Sequence, residues 1–308
     1  MIGIENIGVW FPESFESNFD LKARFEIDDY FINEKIGVQK VGRIKPEEQA
    51  SDMCIGAFRN LESRCAVDST EIDLLVVVTQ NPDSNIPHVS ALVHGKLGFS
   101  ASCACFDISL GCSGFVYALS VVQSMMKENS FRRALLFTAD PYSKIIDPDD
   151  KNTRLLFGDG AAVTLIGPNP VWETGKFSFG TLGHLSEALT CTNSILNMNG
   201  RGIFDFAART MPKDLEKMLT SNNLTKEDID VFVVHQGSKF IVDTLAKKMG
   251  IEPAKMPFKA QEYGNTISSS IPIILQEYLE EFSIGKIVIC GFGVGLSYAS
   301  TILKRIKK

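Results

Sequence analysis

The sequence predicts an α/β protein built from two similar halves. Short runs of β-branched and aliphatic residues, each of strand length, alternate with longer stretches of helical periodicity. These runs are almost entirely apolar rather than alternating with polar residues, which is typical of strands buried on both faces. One of the strands, together with its flanking residues, recurs in the second half of the chain. These patterns together predict α/β layers with largely parallel, buried sheets.

The predicted elements follow one another in a regular order. We predict buried strands at residues 74–79, 134–138, 161–166, 231–234 and 286–290. Apolar residues at helical spacing predict helices at residues 55–63, 89–97, 115–127, 211–221 and 241–248. A final apolar stretch, residues 296–303, is predicted to be another strand.

The repeated segment relates the two halves. Residues 71–80 read EIDLLVVVTQ, and residues 228–236 read DIDVFVVHQ. Asp73 and Asp230 hold the same place in the two segments and lie about half a chain apart. A duplicated αβ unit explains both the likeness and the offset, and the turn-rich sequence GPNP at 167–170 marks the seam. We therefore predict one half comprising residues 1–167 and another comprising residues 168–308.

Composition argues against several classes of protein. The 308 residues are 44% hydrophobic and 22% charged, and their formal net charge of −6 argues against a nucleic-acid partner. No apolar run is long enough to cross a bilayer, and no basic segment precedes an apolar one near Met1, so we expect neither a membrane partner nor a signal peptide. The seven cysteines have neither disulfide nor metal-site spacing, which predicts no metal site and a cytoplasmic location.

The most informative segment surrounds Cys112. Apolar residues lead into GCSG at 111–114, and an apolar helical pattern follows. A strand that turns into a helix here places the thiol among the unsatisfied N–H groups of the helix N-terminus. The positive end of the helix is then expected to lower the thiol pKa and to favour the thiolate. Taken alone, the segment is equally compatible with a small, buried, inert cysteine.

Two later segments carry further candidate catalytic groups. His235 ends the strand predicted at 231–234, and open α/β sheets bind ligands at the carboxyl ends of their strands, so His235 is expected to face a central cleft. A core histidine bonded to backbone is the alternative. Asn265 lies in a Gly-Asn-Thr turn before a helix start. Its side chain either caps that helix or presents an amide donor to a developing oxyanion.

Two glycine-rich segments are predicted to be tight turns. Residues 291–295, GFGVG, lead from one strand into the next, so the helix that a dinucleotide site requires is absent. A strand-to-strand turn that supplies backbone N–H groups to a pocket is the favoured interpretation. Residues 157–161, FGDGA, are predicted to form a turn where two backbones approach closely.

In their order and spacing, these segments resemble the β-ketoacyl-[acyl-carrier-protein] synthase III family, condensing enzymes that start type II fatty-acid synthesis. The resemblance covers essentially the whole chain and includes IGIENIG at 2–8, IGV at 36–38 and MNGRGIF at 198–204. It implies a thiolase-like fold, in which two duplicated αβαβα-type halves give five layers with mixed, largely parallel sheets. The first half would carry the nucleophilic cysteine, and the second half would carry the histidine and the asparagine.

By position, the resemblance implies that Cys112, His235 and Asn265 are the catalytic residues. Cys112 would accept an acyl group from a thioester, and malonyl–carrier protein would lose CO2 to give an enolate. Hydrogen bonds from His235 and Asn265 would stabilise that enolate while it attacks the acyl group. Backbone N–H groups of Cys112 and of the turn at Gly293 and Val294 would hold the tetrahedral oxyanion. The substrates would be thioesters of CoA or of acyl carrier protein, with no further cofactor.

The residues expected to bind the donor depart from the family pattern. The family has a tryptophan over the CoA adenine and three arginines nearby, and the corresponding residues here are Phe31, Lys35, Lys151 and Phe240. Asp205 stands where the family has a lysine near the pocket mouth. Because lysine lacks the planar fork of arginine, recognition of the CoA phosphates should weaken. These departures predict a donor other than acetyl-CoA, such as an acyl group on a carrier protein.

Other positions bear on partners and on the size of the acyl group. Lys247 and Lys248 lie on a helix that resembles part of the family's docking surface for acyl carrier protein. Ile86 stands where several relatives have a phenylalanine that reaches across a homodimer to close the acyl pocket. The resemblance therefore implies a homodimer, and the smaller Ile86 predicts tolerance of longer or branched acyl chains. Phe204 and Phe292 are also expected to line the substrate site.

Two other functions are compatible with the same fold. A thiolase-fold acyltransferase would move the acyl group to oxygen, nitrogen or another small acceptor without decarboxylation. A non-catalytic partner subunit would keep the fold and would be expected to lose the cysteine. The presence of Cys112, His235 and Asn265 favours condensation over both, because Asn265 chiefly serves the decarboxylation step.

Overall fold

The computed structural model describes residues 2–306 and contains fourteen strands and eight α-helices in that range. The strands are Gly3–Trp10 (β1), Ser14–Ser17 (β2), Lys40–Arg43 (β3), Ile72–Val78 (β4), Ala104–Ile108 (β5), Arg133–Ala139 (β6), Ala161–Gly167 (β7), Trp172–Thr174 (β8), Ser178–Thr181 (β9), Leu189–Thr192 (β10), Ile195–Met198 (β11), Val231–Val234 (β12), Lys286–Gly293 (β13) and Ser297–Arg305 (β14). The helices are Lys22–Phe25 (α1), Ala50–Arg64 (α2), Val89–Leu97 (α3), Gly114–Asn129 (α4), Lys151–Arg154 (α5), Gly200–Ser221 (α6), Lys239–Met249 (α7) and Ser270–Glu277 (α8).

The predicted strands and helices are confirmed, and two helices begin earlier than the apolar pattern indicated. α2 begins before residue 55 because Gln49 and Asp52 form reciprocal side-chain and backbone hydrogen bonds that cap its first turn. α6 begins before residue 211 because the Asn199 side chain accepts a hydrogen bond of 3.0 Å from the Gly202 N–H. Caps of this kind use polar residues, which a hydrophobic period does not register.

The main sheet has ten strands and mixed pairing. Its order is β12–β13–β14–β8–β1–β7–β6–β4–β5, and β9 pairs with β14. β4 is parallel to β5 and β6, and β12 is parallel to β13, whereas β7 is antiparallel to both β1 and β6. β13 and β14 are antiparallel because a tight turn joins them, and a parallel pair requires a long crossover. The sheet therefore has less parallel pairing than the sequence pattern predicted.

The helices and the two parts of the sheet form five layers. α2 and α3 pack against strands of the first half, and α6 packs against β13 and β14 with α7 beside it. α4 and α8 contact strands of both halves and so form the middle layer. Apolar clusters fill the spaces between the layers. This is the five-layered, thiolase-like arrangement that the resemblance implied. No helix within residues 2–306 combines the length and apolarity needed to cross a membrane.

A repeated local structure supports the predicted duplication. The Asp73 carboxylate accepts a hydrogen bond of 2.7 Å from the N–H of Arg132, just before β6. The Asp230 carboxylate accepts bonds of 2.8 Å from the N–H groups of Gly285 and Lys286, at the start of β13. Each aspartate thus binds backbone N–H groups at the start of a neighbouring parallel strand, β6 for Asp73 and β13 for Asp230. The division between residues 167 and 168 stays a prediction.

Candidate active site

Cys112 lies in the turn between β5 and α4, as the sequence predicted. β5 ends at Ile108, and α4 begins two residues after the cysteine, at Gly114. The Gly114 N–H donates a bond of 2.7 Å to the Gly111 carbonyl, which closes the turn. Cys112 is only 4% exposed, and it belongs to the apolar cluster between β13 and α6. The thiol is therefore buried at the first turn of a helix.

The expected lowering of the Cys112 pKa is wrong for this site. Burial and, to a smaller extent, the nearby Asp140 carboxylate raise the pKa of the Cys112 thiol to about 12. Hydrogen bonds from the backbone N–H groups of Val294 and of Cys112 itself act in the opposite direction but do not outweigh burial. The sequence pattern placed the thiol correctly at a helix N-terminus, but it did not indicate how completely the later strands cover it.

His235 follows β12 directly and faces the same cavity. Its backbone N–H donates a bond of 2.8 Å to the Cys290 carbonyl on β13, which extends the parallel ladder by one residue. The ring is buried, its Nδ1 lies 2.8 Å from the Ser270 hydroxyl, and its edge meets the ring of Phe292 at a centroid distance of 5.6 Å. Burial lowers the pKa of His235 to about 3. At neutral pH the resting site therefore contains a neutral imidazole and a neutral thiol.

The Asn265 side chain is fixed by the backbone around it. The backbone N–H of Asn265 donates to the Leu156 carbonyl at 2.8 Å, and the backbone carbonyl of Asn265 accepts from the Gly158 N–H at 3.1 Å. Its side-chain Oδ1 accepts a bond of 2.9 Å from the Ile267 N–H, and its Nδ2 lies 3.5 Å from His235 Nε2. Oδ1 of Asn265 thus binds the first N–H of the 3₁₀ turn that leads into α8, and its amide N–H groups are left to point toward the histidine.

The FGDGA segment is the predicted close approach of two backbones. A Cβ atom at position 158 would lie 1.9 Å from the Tyr263 carbonyl oxygen, so only glycine fits there. This contact brings the chain before Asn265 against the end of the Phe157 segment, and Phe157 and Asn265 form an isolated parallel bridge. The turn therefore places the asparagine.

The GFGVG segment is the predicted strand-to-strand turn. Gly293 is the last residue of β13, and β14 begins after a short 3₁₀ turn at Val294–Leu296. A Cβ atom at position 293 would lie 2.6 Å from Cys112 Sγ, so the glycine lets this turn reach the sulfur. The Val294 N–H then hydrogen-bonds the thiol. Backbone donors thus surround the sulfur where the resemblance places an oxyanion hole.

One cavity of about 650 Å³ brings most of the predicted site together. Its lining includes all three candidate catalytic residues: Cys112, His235 and Asn265. It also includes Gly293 and six of the seven residues expected to bind substrate: Phe31, Lys35, Lys151, Phe204, Phe240 and Phe292. Ile86 is the exception, since it is 87% exposed and does not line the cavity of its own chain. Lys247 and Lys248 are exposed on the last turn of α7. Within residues 2–306, no three His, Cys, Asp or Glu side chains are grouped as metal ligands.

Aromatic rings and lysines share the cavity mouth. The Lys35 Nζ lies 5.0 Å from the centre of the Phe240 ring, and the Lys151 Nζ lies 5.9 Å from that of Phe31. Phe240 in turn stacks on Phe204 at a centroid distance of 5.1 Å. The mouth is therefore flanked by two contacts between a lysine ammonium and an aromatic ring.

The sequence analysis missed two residues, Gln80 and Tyr142, in the buried surroundings of Cys112. Tyr142 is 3% exposed, packs in the same apolar cluster as Cys112, and donates its hydroxyl to Gln80 Oε1 at 2.9 Å. That oxygen lies 2.5 Å from where a Cβ of Gly111, the residue before Cys112, would be. Gln80 follows β4 and Tyr142 follows β6, so their places after the carboxyl ends of parallel strands could have indicated them.

The chain and its fold are similar to proteins of one family. Residues 106–183 match the family model described as 3-oxoacyl-[acyl-carrier-protein] synthase III, and residues 219–305 match the model of its C-terminal part. A beta-ketoacyl-[acyl-carrier-protein] synthase III of Lactococcus lactis subsp. cremoris is 35% identical over 312 residues, covering 95% of each chain. A crystal structure of a 3-oxoacyl-(acyl-carrier-protein) synthase III gives a TM-score of 0.93 at 30% identity and covers 99% of both chains. The corresponding synthase III of Thermus thermophilus gives 0.92 at 28% identity, covering 99% of this chain and 100% of its own.

Proposed function

Because the chain belongs to the 3-oxoacyl-[acyl-carrier-protein] synthase III family, we infer that it is an acyltransferase that catalyses a decarboxylative condensation. The product would be a 3-oxoacyl group on acyl carrier protein. The observation that carries this proposal is that Cys112, His235 and Asn265 line one largely buried cavity. These are a nucleophile, a proton acceptor and an amide donor, which are the groups that such a reaction requires.

In the first half-reaction, the Cys112 sulfur attacks the carbonyl carbon of an acyl thioester. The thiol of the donor leaves, and the acyl group becomes bound to the enzyme. Negative charge develops on the carbonyl oxygen beside the N–H groups of Val294 and Cys112, which already hydrogen-bond the sulfur. We propose these two N–H groups, together with the Gly293 backbone, as the oxyanion site.

In the second half-reaction, a malonyl group on carrier protein enters the same cavity and loses CO2. The Asn265 Nδ2–H would donate to the enolate oxygen, and His235 Nε2 would donate while that nitrogen carries a proton. The enolate carbon attacks the acyl carbonyl, and Cys112 leaves as a thiolate. The substrates are thioesters, and the proposed chemistry calls on no other cofactor.

We propose that the acyl donor is held on a carrier protein rather than on CoA. The Lys35 and Lys151 ammonium groups lie against Phe240 and Phe31, and lysine contacts phosphate as a point charge without the bidentate fork of arginine. Arg201 lines the same cavity and supplies a guanidinium group. One guanidinium matches the single phosphodiester of a carrier-bound pantetheine arm better than the diphosphate and ribose phosphate of CoA.

Exposed cations on the two helices whose first turns line the cavity support carrier-protein docking. Lys247 and Lys248 are exposed on α7, and the adjoining α6 exposes Arg209, Lys213 and Lys217. An acidic carrier surface would be steered to these cations. The double variant that carries both Lys247→Glu and Lys248→Glu should have a raised KM for malonyl–carrier protein and an unchanged KM for a small malonyl thioester. Enzyme and carrier protein would meet in the cytoplasm.

We also propose that the protein is a homodimer. β5 ends the strand order of the main sheet, and its residues are partly exposed, so its outer hydrogen-bonding groups are free to pair with a second copy. Ile86, Val121 and Phe179 are large apolar side chains that are exposed in the single chain. Ile86 would then reach the cavity only of a partner subunit.

Two features act in opposite directions on the size of the acyl group. Ile86 would leave more room at a dimer-completed pocket than a larger side chain would. Tyr142, by contrast, is a large buried side chain in the same apolar cluster as Cys112 and is held in place by its bond to Gln80. We propose that Tyr142 sets the inner limit on acyl length, whereas Ile86 affects acyl width and branching.

Transfer to an oxygen or nitrogen acceptor is the alternative that the site favours less. Such a transfer needs a nucleophile and an oxyanion site, but it gives Asn265 no enolate to stabilise. The experiment is to incubate the protein with an acyl donor and malonyl–carrier protein and to measure CO2 and 3-oxoacyl product. Equal amounts of both support condensation, and acyl transfer to an alcohol or amine without CO2 would overturn it. Running acyl-CoA and acyl–carrier-protein donors in parallel tests the donor proposal.

A further inference from the structure

Four hydrogen bonds around His235 form a circuit that begins and ends at one residue, Ile267. The Ile267 N–H donates to Asn265 Oδ1 at 2.9 Å, and Asn265 Nδ2 lies 3.5 Å from His235 Nε2. On the other side of the ring, His235 Nδ1 lies 2.8 Å from Ser270 Oγ, and that hydroxyl donates to the Ile267 carbonyl at 3.0 Å. All four residues are buried.

The backbone of Ile267 is in an unusual conformation. Its φ is +53°, in the left-handed region that β-branched residues rarely adopt. In this conformation its N–H reaches Asn265 while its carbonyl reaches Ser270. Strained residues of this kind persist where the surrounding structure holds them, and they cluster at functional sites. The strain at Ile267 therefore supports a role in the arrangement of both candidate catalytic side chains.

The circuit fixes which nitrogen of His235 carries the proton. A serine hydroxyl has one proton, and Ser270 donates it to the Ile267 carbonyl, so Ser270 can only accept from the imidazole. The Ile267 backbone also acts to raise the His235 pKa, which is the direction expected of an acceptor carbonyl near Nδ1–H. On the opposite side, Asn265 Nδ2 is a donor and needs a lone pair on Nε2.

We propose that Ser270 and the strained Ile267 backbone are positioning residues that hold His235 as the Nδ1–H tautomer. The Nε2 lone pair, which Asn265 Nδ2 approaches at 3.5 Å in the resting site, then lies at the shared cavity and becomes the proton acceptor for Cys112. This inference rests on the proposed function, because it assigns the direction of proton transfer within that reaction. Ser270 does not touch the substrate in this arrangement and acts only through His235.

The proton balance of the reaction follows from this assignment. As sulfur attacks the thioester, the S–H bond of Cys112 breaks, a bond from carbon to sulfur forms, and the proton goes to Nε2. The donor thiolate leaves and takes a proton from solvent. The Nε2–H then donates to the enolate oxygen after decarboxylation. When the new carbon–carbon bond forms, Cys112 leaves as a thiolate and recovers that proton, so each cycle consumes one solvent proton.

The resting pKa values of Cys112 and His235 also require that the proton moves while the sulfur attacks the thioester. Burial raises the pKa of Cys112 to about 12 and lowers that of His235 to about 3, so no resting ion pair forms between them. The proton moves only as the sulfur gains a bond to carbon. A lone pair already directed at the cavity makes that movement possible without rotation of the ring.

The chain offers a matched pair of variants to test the role of Ser270. Ser269 is the preceding residue, is equally buried, and directs its hydroxyl to the Thr138 backbone carbonyl and hydroxyl rather than to the histidine. Ser270→Ala leaves the His235 Nδ1–H without its hydroxyl acceptor, whereas Ser269→Ala removes a buried hydroxyl of the same helix start. We expect Ser270→Ala to slow acylation of Cys112 roughly ten- to hundredfold, and Ser269→Ala to change it by less than about threefold.

The tautomer of His235 is determined by ¹⁵N NMR of protein labelled at histidine. The chain has four histidines, so the spectrum contains few signals to assign. We expect the wild-type His235 spectrum to show a protonated Nδ1 and an unprotonated Nε2, and Ser270→Ala to lose this fixed pattern. A wild-type spectrum with the proton on Nε2 would overturn the inference even if the variant failed to fold. So would a folded Ser270→Ala protein that is acylated at the wild-type rate. Acylation is measured without malonyl substrate, so a failure of condensation is scored separately.

Discussion

The backbone of Gly293 lies directly against the sulfur of Cys112, and a Cβ atom at position 293 would be 2.6 Å from Sγ. No side chain fits at that distance, so the close approach of the β13–β14 turn to Cys112 depends on this glycine. The approach also brings the Val294 N–H to the sulfur. The turn and the nucleophile are therefore one structural unit, although they are far apart in sequence.

The first prediction concerns that contact. Gly293→Ala should lower kcat by about a hundredfold or more, because the turn or the cysteine must shift and the oxyanion donors lose their alignment. The exposed Gly95 in α3 is the control, since a Cβ there meets nothing within 4 Å. Gly95→Ala should keep activity and stabilise the protein by roughly 0.5–1 kcal/mol in urea unfolding. Wild-type kcat in Gly293→Ala would contradict the account of the turn.

The second prediction concerns the protonation state of the nucleophile. Because the pKa of Cys112 is raised to about 12, its alkylation by iodoacetamide should speed up about tenfold per pH unit from about pH 7 to 10. The measurement is mass spectrometry of the Cys112 peptide, with the exposed Cys191 as an internal reference for reagent activity. A rate that levels off near pH 8 would show that the helix N-terminus outweighs burial after all.

The third prediction links His235 to stability. Its folded pKa is lowered to about 3, whereas an unfolded histidine titrates near 6.5, so only the unfolded state gains a proton as the pH falls from 6.5 toward 3. Stability is therefore present above about pH 6.5 and is lost below it. Between pH 7 and 5 this loss amounts to about 2 kcal/mol.

Urea unfolding at both pH values tests this linkage in the wild type and in His235→Gln. The difference in unfolding free energy between pH 7 and 5 should be about 2 kcal/mol smaller in the variant. Comparing differences removes any overall destabilisation caused by the substitution. An equal pH dependence in the two proteins would mean that His235 is protonated in the folded state.

The fourth prediction concerns acyl length. Tyr142→Leu should extend the range of acyl thioesters that load Cys112 by several carbons, because it removes a buried aromatic ring from the apolar cluster that contains Cys112. Ile86→Phe should reduce loading by branched chains. A panel of straight and branched donors, read as the fraction of acylated protein, separates the two effects. If only Ile86→Phe changes the length profile, Tyr142 does not set the limit.

The sequence was sufficient to locate the three catalytic candidates, because each is marked by local chemistry. Cys112 lies between a strand and a helix, His235 ends a buried strand, and Asn265 lies in a glycine turn. The cavity that they share depends on two duplicated units facing each other, which the repeat around Asp73 and Asp230 also indicated.

Properties that depend on long-range packing were not predictable in this way. The raised pKa of Cys112 results from burial under the β13–β14 turn, and no local pattern reports that depth. The left-handed backbone of Ile267 is equally hidden, because isoleucine is a residue that rarely adopts it. The bond from Tyr142 to Gln80 joins two strand ends that are distant in sequence.

The central claim is that Cys112 carries the acyl group between two substrates. Intact-protein mass spectrometry after incubation with an acyl–carrier-protein donor tests it most directly, with Cys112→Ala as the control. The account predicts one acyl adduct on Cys112 of the wild type, absent from the variant, that disappears with release of CO2 only when malonyl–carrier protein is added. A wild-type protein that turns over without an adduct, or whose adduct maps to another residue, would contradict it.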